Sequence, residues 1–164
     1  MTSRPLHSVA DGDAAVPADP QTVVEDFLDA LAESDLPAAA ALLADDVVYS
    51  NVGLPTLRGR DRVVRALSLM DRPGASFEVF LHAISASGPT VLTERTDALI
   101  YRRYRAQFWV TGRFDVHEGR ITLWRDSFDY VDVVLGSLRG VLALAVPSLR
   151  PKLPTTADTP PGRH

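Results

Sequence analysis

The sequence predicts an α+β fold, with helices gathered early in the chain and strands late. Three observations carry this. Apolar residues recur at helical spacing up to about residue 67. After Pro73-Gly74, four segments rich in β-forming residues follow one another through short turns. The 12 prolines of the 164-residue chain are unevenly spread, three before residue 21 and five after residue 146. They delimit a single folded unit, 19–146, between a disordered tail 1–18 and a Pro-rich tail 147–164. A chain of this length can bury a proper core.

Asp19-Pro20 reads as an N-cap followed by proline at the first helical position. Val23, Val24, Phe27, Leu28 and Leu31 then form one helical stripe. Asp35 starts a second, alanine-rich helix through Leu43, which Asp45-Asp46 ends. Val47 to Asn51 reads as a short strand. Past the Pro55 loop, Gly59-Arg60-Asp61 opens a third helix with the stripe Val63, Val64 and Leu67. Ser76 to Ser85 is the first strand of the late block, and Ser87-Gly88-Pro89 turns the chain. Thr90 to Tyr101 and Arg105 to Val116 follow. Glu118-Gly119 makes a tight turn into Arg120 to Tyr130. Strands joined by such short turns form an antiparallel meander. A last helix spans about Val131 to Ala145, although Gly136 and Gly140 lie inside it. Helices on one face would leave such a sheet curled around a cone-shaped cavity.

Composition narrows the chemistry. With no cysteine, disulfide scaffolds, thiolate zinc sites and cysteine nucleophiles are excluded. Asp and Glu outnumber Lys and Arg by 21 to 17, against the basic surplus of nucleic-acid binders. The one basic knot, Arg102, Arg103 and Arg105, reads as a solvated hairpin end. No apolar run approaches the ~20 residues that span a bilayer. The first residues hold no apolar signal core, so a cytoplasmic protein is expected. No histidine pair has metal-ligand spacing, and neither a G-x-S-x-G elbow nor a Gly-rich phosphate loop occurs. An enzyme built from this chain must do acid–base work with carboxylates.

Three fragments offer such groups. In Thr93-Glu94-Arg95-Thr96-Asp97, strand alternation puts Thr93, Arg95, Asp97 and Leu99 on one face. Spacing alone also allows a surface ion pair of little energetic weight. In Trp124-Arg125-Asp126-Ser127-Phe128-Asp129-Tyr130, Asp126 shares a face with Trp124, Phe128 and Tyr130. A carboxylate on such an aromatic face needs a partner or a raised pKa. Asp129 lies on the more polar face. In Val48-Tyr49-Ser50-Asn51, a phenol and an amide share a face, and a turn-forming strand end explains them equally well.

At these fragments the sequence resembles the limonene-1,2-epoxide hydrolase family. The matching motifs are Tyr49-x-Asn51, Thr93-Glu94-Arg95-x-Asp97, and Glu118-Gly119-Arg120-Ile121 followed by Trp124-Arg125-Asp126-x-Phe128-Asp129. The similarity runs from about Val23 to Arg139. The resemblance implies a curled mixed sheet, mostly antiparallel, packed with helices in the cystatin-like cone shared with nuclear transport factor 2 and ketosteroid isomerase. It implies Asp126 as the base that deprotonates water and Asp97 as the acid that protonates the epoxide oxygen. Arg95 would bridge them, and Tyr49 and Asn51 would hold the water. No metal or cofactor would take part. The pocket would be lined by Leu67, Leu99, Phe108, Val110, Phe114 and Phe128, and would suit an apolar epoxide of terpene, sterol or fatty type. A homodimer formed across the sheet is also implied.

Two other readings stay open on the sequence. An isomerase or polyketide cyclase of the same cone would use one carboxylate and separate oxyanion donors, with no use for the arginine. A non-catalytic lipid-binding or dimerisation module would keep Arg95, Asp97 and Asp126 as a structural network. Fold alone does not separate these.

Overall fold

The structure is a computed structural model that describes residues 18–69 and 72–154. The expected disorder of 1–17, and the end of the Pro-rich tail, lie outside the described residues. Helix α1 (Pro20–Ala32) starts where the sequence places it, with the Asp19 carboxylate accepting from Thr22 N at 3.3 Å. Helix α2 (Leu36–Ala41) is capped likewise by Asp35, which accepts from Ala38 N at 2.9 Å. These side chains satisfy amide groups that the first turn leaves without partners.

Strand β1 (Leu43–Asn51) begins where the second helix was expected to end. Leu43 and Val47 are both fully buried, and the sequence places Leu43 at the end of the helix and Val47 at the start of the strand. Pairing decides otherwise: Leu43 lies beside Ile121 and Val48 beside Leu123, with a register shift between the two pairs. A two-residue strand, β2 (Leu57–Arg58), precedes α3 (Arg60–Leu67) and pairs with β1. It is too short to leave a periodicity in sequence.

The late block is β3 (Ala75–Ser87), β4 (Thr90–Tyr101), β5 (Tyr104–His117) and β6 (Arg120–Ser127). These form the expected antiparallel meander. Strand β6 ends three residues early because the Asp129 carboxylate caps the next helix, accepting from Val131 N at 2.8 Å. That helix, α4 (Tyr130–Ala145), is followed by a 3-10 turn at Pro147–Leu149.

The six strands run β2-β1-β6-β5-β4-β3 in one sheet. All neighbours are antiparallel except β1 and β6, so the sheet is mixed. Helix α1 lies across β3, β4, β5 and β6, and α3 lies over β1 and β2. Val24, Phe27, Leu28, Val63, Leu67, Phe114 and Trp124 form the core between these layers. The ring of Phe27 meets Trp124 edge-on at 5.0 Å. Burying such side chains contributes roughly 1.5–3 kcal/mol each.

Helix α4 is continuous through both glycines. A Cβ at Gly136 would lie 2.5 Å from the Gln107 carbonyl oxygen, and one at Gly140 would collide with that of Arg105. Beyond Thr111 toward its start, β5 has no β6 partner. The glycines let α4 lie directly on that backbone. Among the described residues no helix is long and apolar enough to cross a membrane.

Candidate active site

The inward face of β4 carries Thr93, Arg95 and Asp97, and each is buried. Arg95 is 1% exposed, Asp97 4% and Asp126 5%, so the surface ion pair that spacing allowed is not what forms. Arg95 Nε donates to Asp97 Oδ1 at 2.9 Å and to Oδ2 at 3.2 Å. On the other side, Arg95 Nη2 donates to Asp126 Oδ2 at 2.6 Å. Nη1 donates to Thr93 Oγ1 at 3.2 Å. One planar guanidinium thus spans two carboxylates, in a geometry that a lysine cannot copy. The Phe114 ring lies beneath it, 5.9 Å from the Arg95 Cζ.

Sheet register explains the convergence. Arg95 is flanked across the ladders by Leu81 and Val110, and Asp97 by Val79 and Phe108. These apolar neighbours keep water from the ions. Asp126 on β6 is reached over Gly112, which pairs with both Thr93 and Asp126. A Cβ on Gly112 would collide with Arg95 Nη1 and lie 2.5 Å from Thr93 Oγ1. The missing side chain is the space the guanidinium fills. Sequence reading missed Gly112; a lone glycine inside a β-rich run signals such close approach.

The parallel pairing of β1 with β6 supplies the remaining groups. It sets Tyr49 beside Trp124 and Asn51 beside Asp126. Asn51 Nδ2 donates to Tyr49 Oη at 2.7 Å. The phenol oxygen is thereby occupied as acceptor, and its own hydrogen is free to donate. Asp126 Oδ1 is buried with no hydrogen-bond partner among the described residues. A buried carboxylate oxygen left open is costly unless something polar meets it.

Burial dominates the electrostatics. It pushes Asp97 up to about 6; Arg95 opposes the rise and Asp126 adds to it. Burial also raises Tyr49 to about 12, with the negative Asp126 adding to the effect. Tyr49 is therefore a phenol donor at neutral pH. Burial works against the charge on Arg95, but Asp126 and Asp97 overrule it and hold the group above its ordinary value. Arg95 stays cationic.

The expected lining residues fall in two groups. Val110 and Phe114 are fully buried beside Arg95, and Leu67 belongs to the core. Leu99 is exposed, while Phe108 and Phe128 are half-buried with ring centroids 5.8 Å apart. The face is therefore dry at Arg95 and opens toward solvent past Asp97. Tyr130, expected on the face of Asp126, instead starts α4, and its hydroxyl donates to the Val52 carbonyl. Arg105 departs from the solvated hairpin end: it is buried and paired with Glu78 at 2.8 Å. His82, the histidine within a strand, contacts Thr96 Oγ1 at 2.8 Å and stacks on Trp109. Among the described residues no cluster of His, Asp and Glu could hold a metal ion.

Comparison with known proteins shows what this chain is similar to. Residues 18–139 match the limonene-1,2-epoxide hydrolase catalytic domain. Epoxide hydrolase EphG of Mycobacterium tuberculosis is 52% identical over 130 residues, covering 79% of this chain and 87% of that protein. The structure of a LEH-like epoxide hydrolase from M. tuberculosis superposes with a TM-score of 0.78 at 51% identity, over 82% of this chain and 95% of that one. An NTF2-like protein of unknown function from Cytophaga hutchinsonii shares the fold alone, with a TM-score of 0.60 at 18% identity over 70% and 94% of the two chains. The chain belongs to the limonene-1,2-epoxide hydrolase family.

Proposed function

We propose that this epoxide hydrolase adds water directly to an apolar epoxide, with Asp126 as base and Asp97 as acid. The observation that carries the reading is Arg95 joining two buried carboxylates whose surroundings differ. An epoxide oxygen leaves poorly unless it is protonated, and water attacks poorly unless it is deprotonated. An acid and a base acting together meet both needs.

Asp126 Oδ1, open and buried, accepts a proton from water. Tyr49 and Asn51 orient that water. The resulting hydroxide oxygen forms a bond to one ring carbon while that carbon's bond to the epoxide oxygen breaks. Asp97, whose raised pKa favours the protonated form, gives its proton to the departing oxygen. The product is a vicinal diol. Asp126 then holds a proton and Asp97 lacks one, so the proton returns before the next turnover.

The apolar neighbours Val79, Val110 and Phe108 favour an apolar substrate, and Leu99, Phe108 and Phe128 set its entry. A bulky terpene, sterol or fatty epoxide fits an opening of this chemistry. An isomerase of the same fold would leave the arginine bridge unexplained. A lipid-binding module would leave the open Asp126 oxygen unexplained.

Diol formation from an apolar epoxide, followed in the presence of chelator, tests the reading. Wild type should turn over, and Asp126→Asn and Asp97→Asn should not, with circular dichroism unchanged. Near-wild-type turnover by either variant would refute the two-aspartate mechanism.

A further inference from the structure

On the side of the sheet away from Arg95 and Asp97 lies a second buried arginine, to which the hydrolase reading gives no task. Alternation along β5 turns Ala106, Phe108 and Val110 toward the candidate site, across from Leu99, Asp97 and Arg95. Arg105 and Gln107 therefore face the other way. Arg105 is 6% exposed, yet it is met far less well than Arg95. Its Nη2 lies 2.8 Å from Glu78 Oε2 and donates to Gln107 Oε1 at 3.4 Å. Its Nε is buried with no hydrogen-bond partner among the described residues. Arg95, by contrast, divides its donors between two carboxylates and a hydroxyl. A guanidinium carries five N–H donors, and taking it out of water is costly unless acceptors replace that water.

The segment after α4 brings more positive charge to the same place. Gln107 Nε2 donates to the Lys152 carbonyl at 3.2 Å, and Arg139 Nε donates to the Leu149 carbonyl at 2.9 Å. These bonds tie the segment to β5 and α4. Between it and the sheet is an open cleft of about 610 Å³, whose charged lining is Arg105, Arg150, Lys152 and Glu78. Three cations and one carboxylate leave a surplus of +2, in a chain whose net charge is −4. A cleft of one sign beside low-dielectric walls concentrates the opposite ion. The rest of the wall is largely apolar, with Pro147, Pro151 and Leu153.

We propose that this cleft is a second binding site, for an anionic amphiphile. Its head, a carboxylate or a phosphate, meets Arg105, Arg150 and Lys152, and its apolar chain lies along Pro147, Pro151 and Leu153. Charge selects the head, because an anion offsets the surplus and supplies the acceptors that Arg105 lacks. Size selects the chain, because the cleft has the volume of a small-molecule pocket and far exceeds what a bare ion needs. Asp97 lies on the opposite face of the sheet, so the site is separate and the inference does not depend on the epoxide reading.

Lys152 is the only lysine of the chain, and it can report on the cleft. Reductive methylation of the full chain with carbon-13 formaldehyde labels its amine and the N-terminus and keeps the charge. Titration with sodium decanoate or decyl phosphate, below the concentration at which either forms micelles, should move the Lys152 resonance along a saturable curve. Acetate and inorganic phosphate should bind far more weakly, and neutral decanol should leave the resonance in place. Arg150 is exposed, and Arg150→Glu should weaken decanoate binding by about tenfold or more, with circular dichroism and epoxide turnover unchanged. Arg105→Met should abolish binding in folded protein. A response that never saturates, decanol bound as well as decanoate, or full affinity in Arg150→Glu would overturn the proposal. Acetate or phosphate bound as tightly as decanoate would overturn the amphiphile and leave a bare anion site. Decanoate that competes with the epoxide while the Lys152 resonance stays in place would also overturn it, because the ligand would then sit in the catalytic cavity alone.

Discussion

Gly112 yields its side-chain space to Arg95. A Cβ there would collide with Arg95 Nη1 and crowd Thr93 Oγ1, although Thr93 and Asp126 flank Gly112 on either strand. The bridge between the two aspartates depends on this vacancy in β5. Gly112→Ala should therefore displace the guanidinium. Overpacking of this kind costs about 1–3 kcal/mol, and turnover should fall at least ~100-fold if acid–base geometry is lost. Steady-state kinetics beside thermal unfolding checks this; normal turnover would show that Arg95 tolerates displacement.

Arg95→Lys keeps the charge and loses the fork. Lysine cannot donate to Asp97, Thr93 and Asp126 in one plane. Activity should drop by two orders of magnitude or more. Removing the charge with Arg95→Met should destabilise by roughly 3–5 kcal/mol, because two buried carboxylates lose their counter-ion. Denaturant unfolding of both variants orders them: wild type, then Lys, then Met.

Asp97 gives a pH dependence with a defined sign. Its pKa is raised to about 6 in the folded chain, against about 4 when unfolded. In the proposed mechanism Asp97 must hold its proton, so kcat/KM should fall as pH rises through about 6. Stability follows the same direction. A raised folded pKa contributes stability that is fully present below about pH 4 and is lost as pH rises through about 6. Relative to Asp97→Asn, the wild-type Tm should therefore drop between pH 5 and pH 7.5. A constant difference would mean that Asp97 does not titrate in this window.

Tyr49→Phe removes the phenol donor and leaves the ring on Trp124, whose centroid lies 4.1 Å away. The fold should persist. With one hydrogen bond to water lost, kcat should fall about tenfold, which corresponds to ~1.4 kcal/mol. Asn51→Ala should act in the same direction. A double variant no worse than either single one would show that the pair acts as a unit.

Much of this arrangement is legible in the sequence. Helix caps at Asp19 and Asp35, the Glu118-Gly119 turn and strand β4 follow from local chemistry, and local chemistry is what sequence displays. The inward face of Asp126 followed from its aromatic neighbours. What stayed hidden depends on distant partners. Leu43 reads as the end of the alanine-rich helix because the strand pairing that overrides it comes from Ile121, far along the chain. Arg105 read as solvated because Glu78 reaches it from β3. Gly112 looked like any strand glycine until the guanidinium it accommodates came from β4. The three motifs name side chains that lie together in the structure, and the mixed sheet is what brings them there.

Single turnover in oxygen-18 water tests the central claim most directly. With enzyme in excess over an apolar epoxide, direct attack by the water on Asp126 places the label in the diol during the first turnover and leaves Asp126 unlabelled. Unlabelled diol in that turnover, with oxygen-18 later found in the Asp126 carboxylate, would mean that the carboxylate itself attacks and would contradict the account.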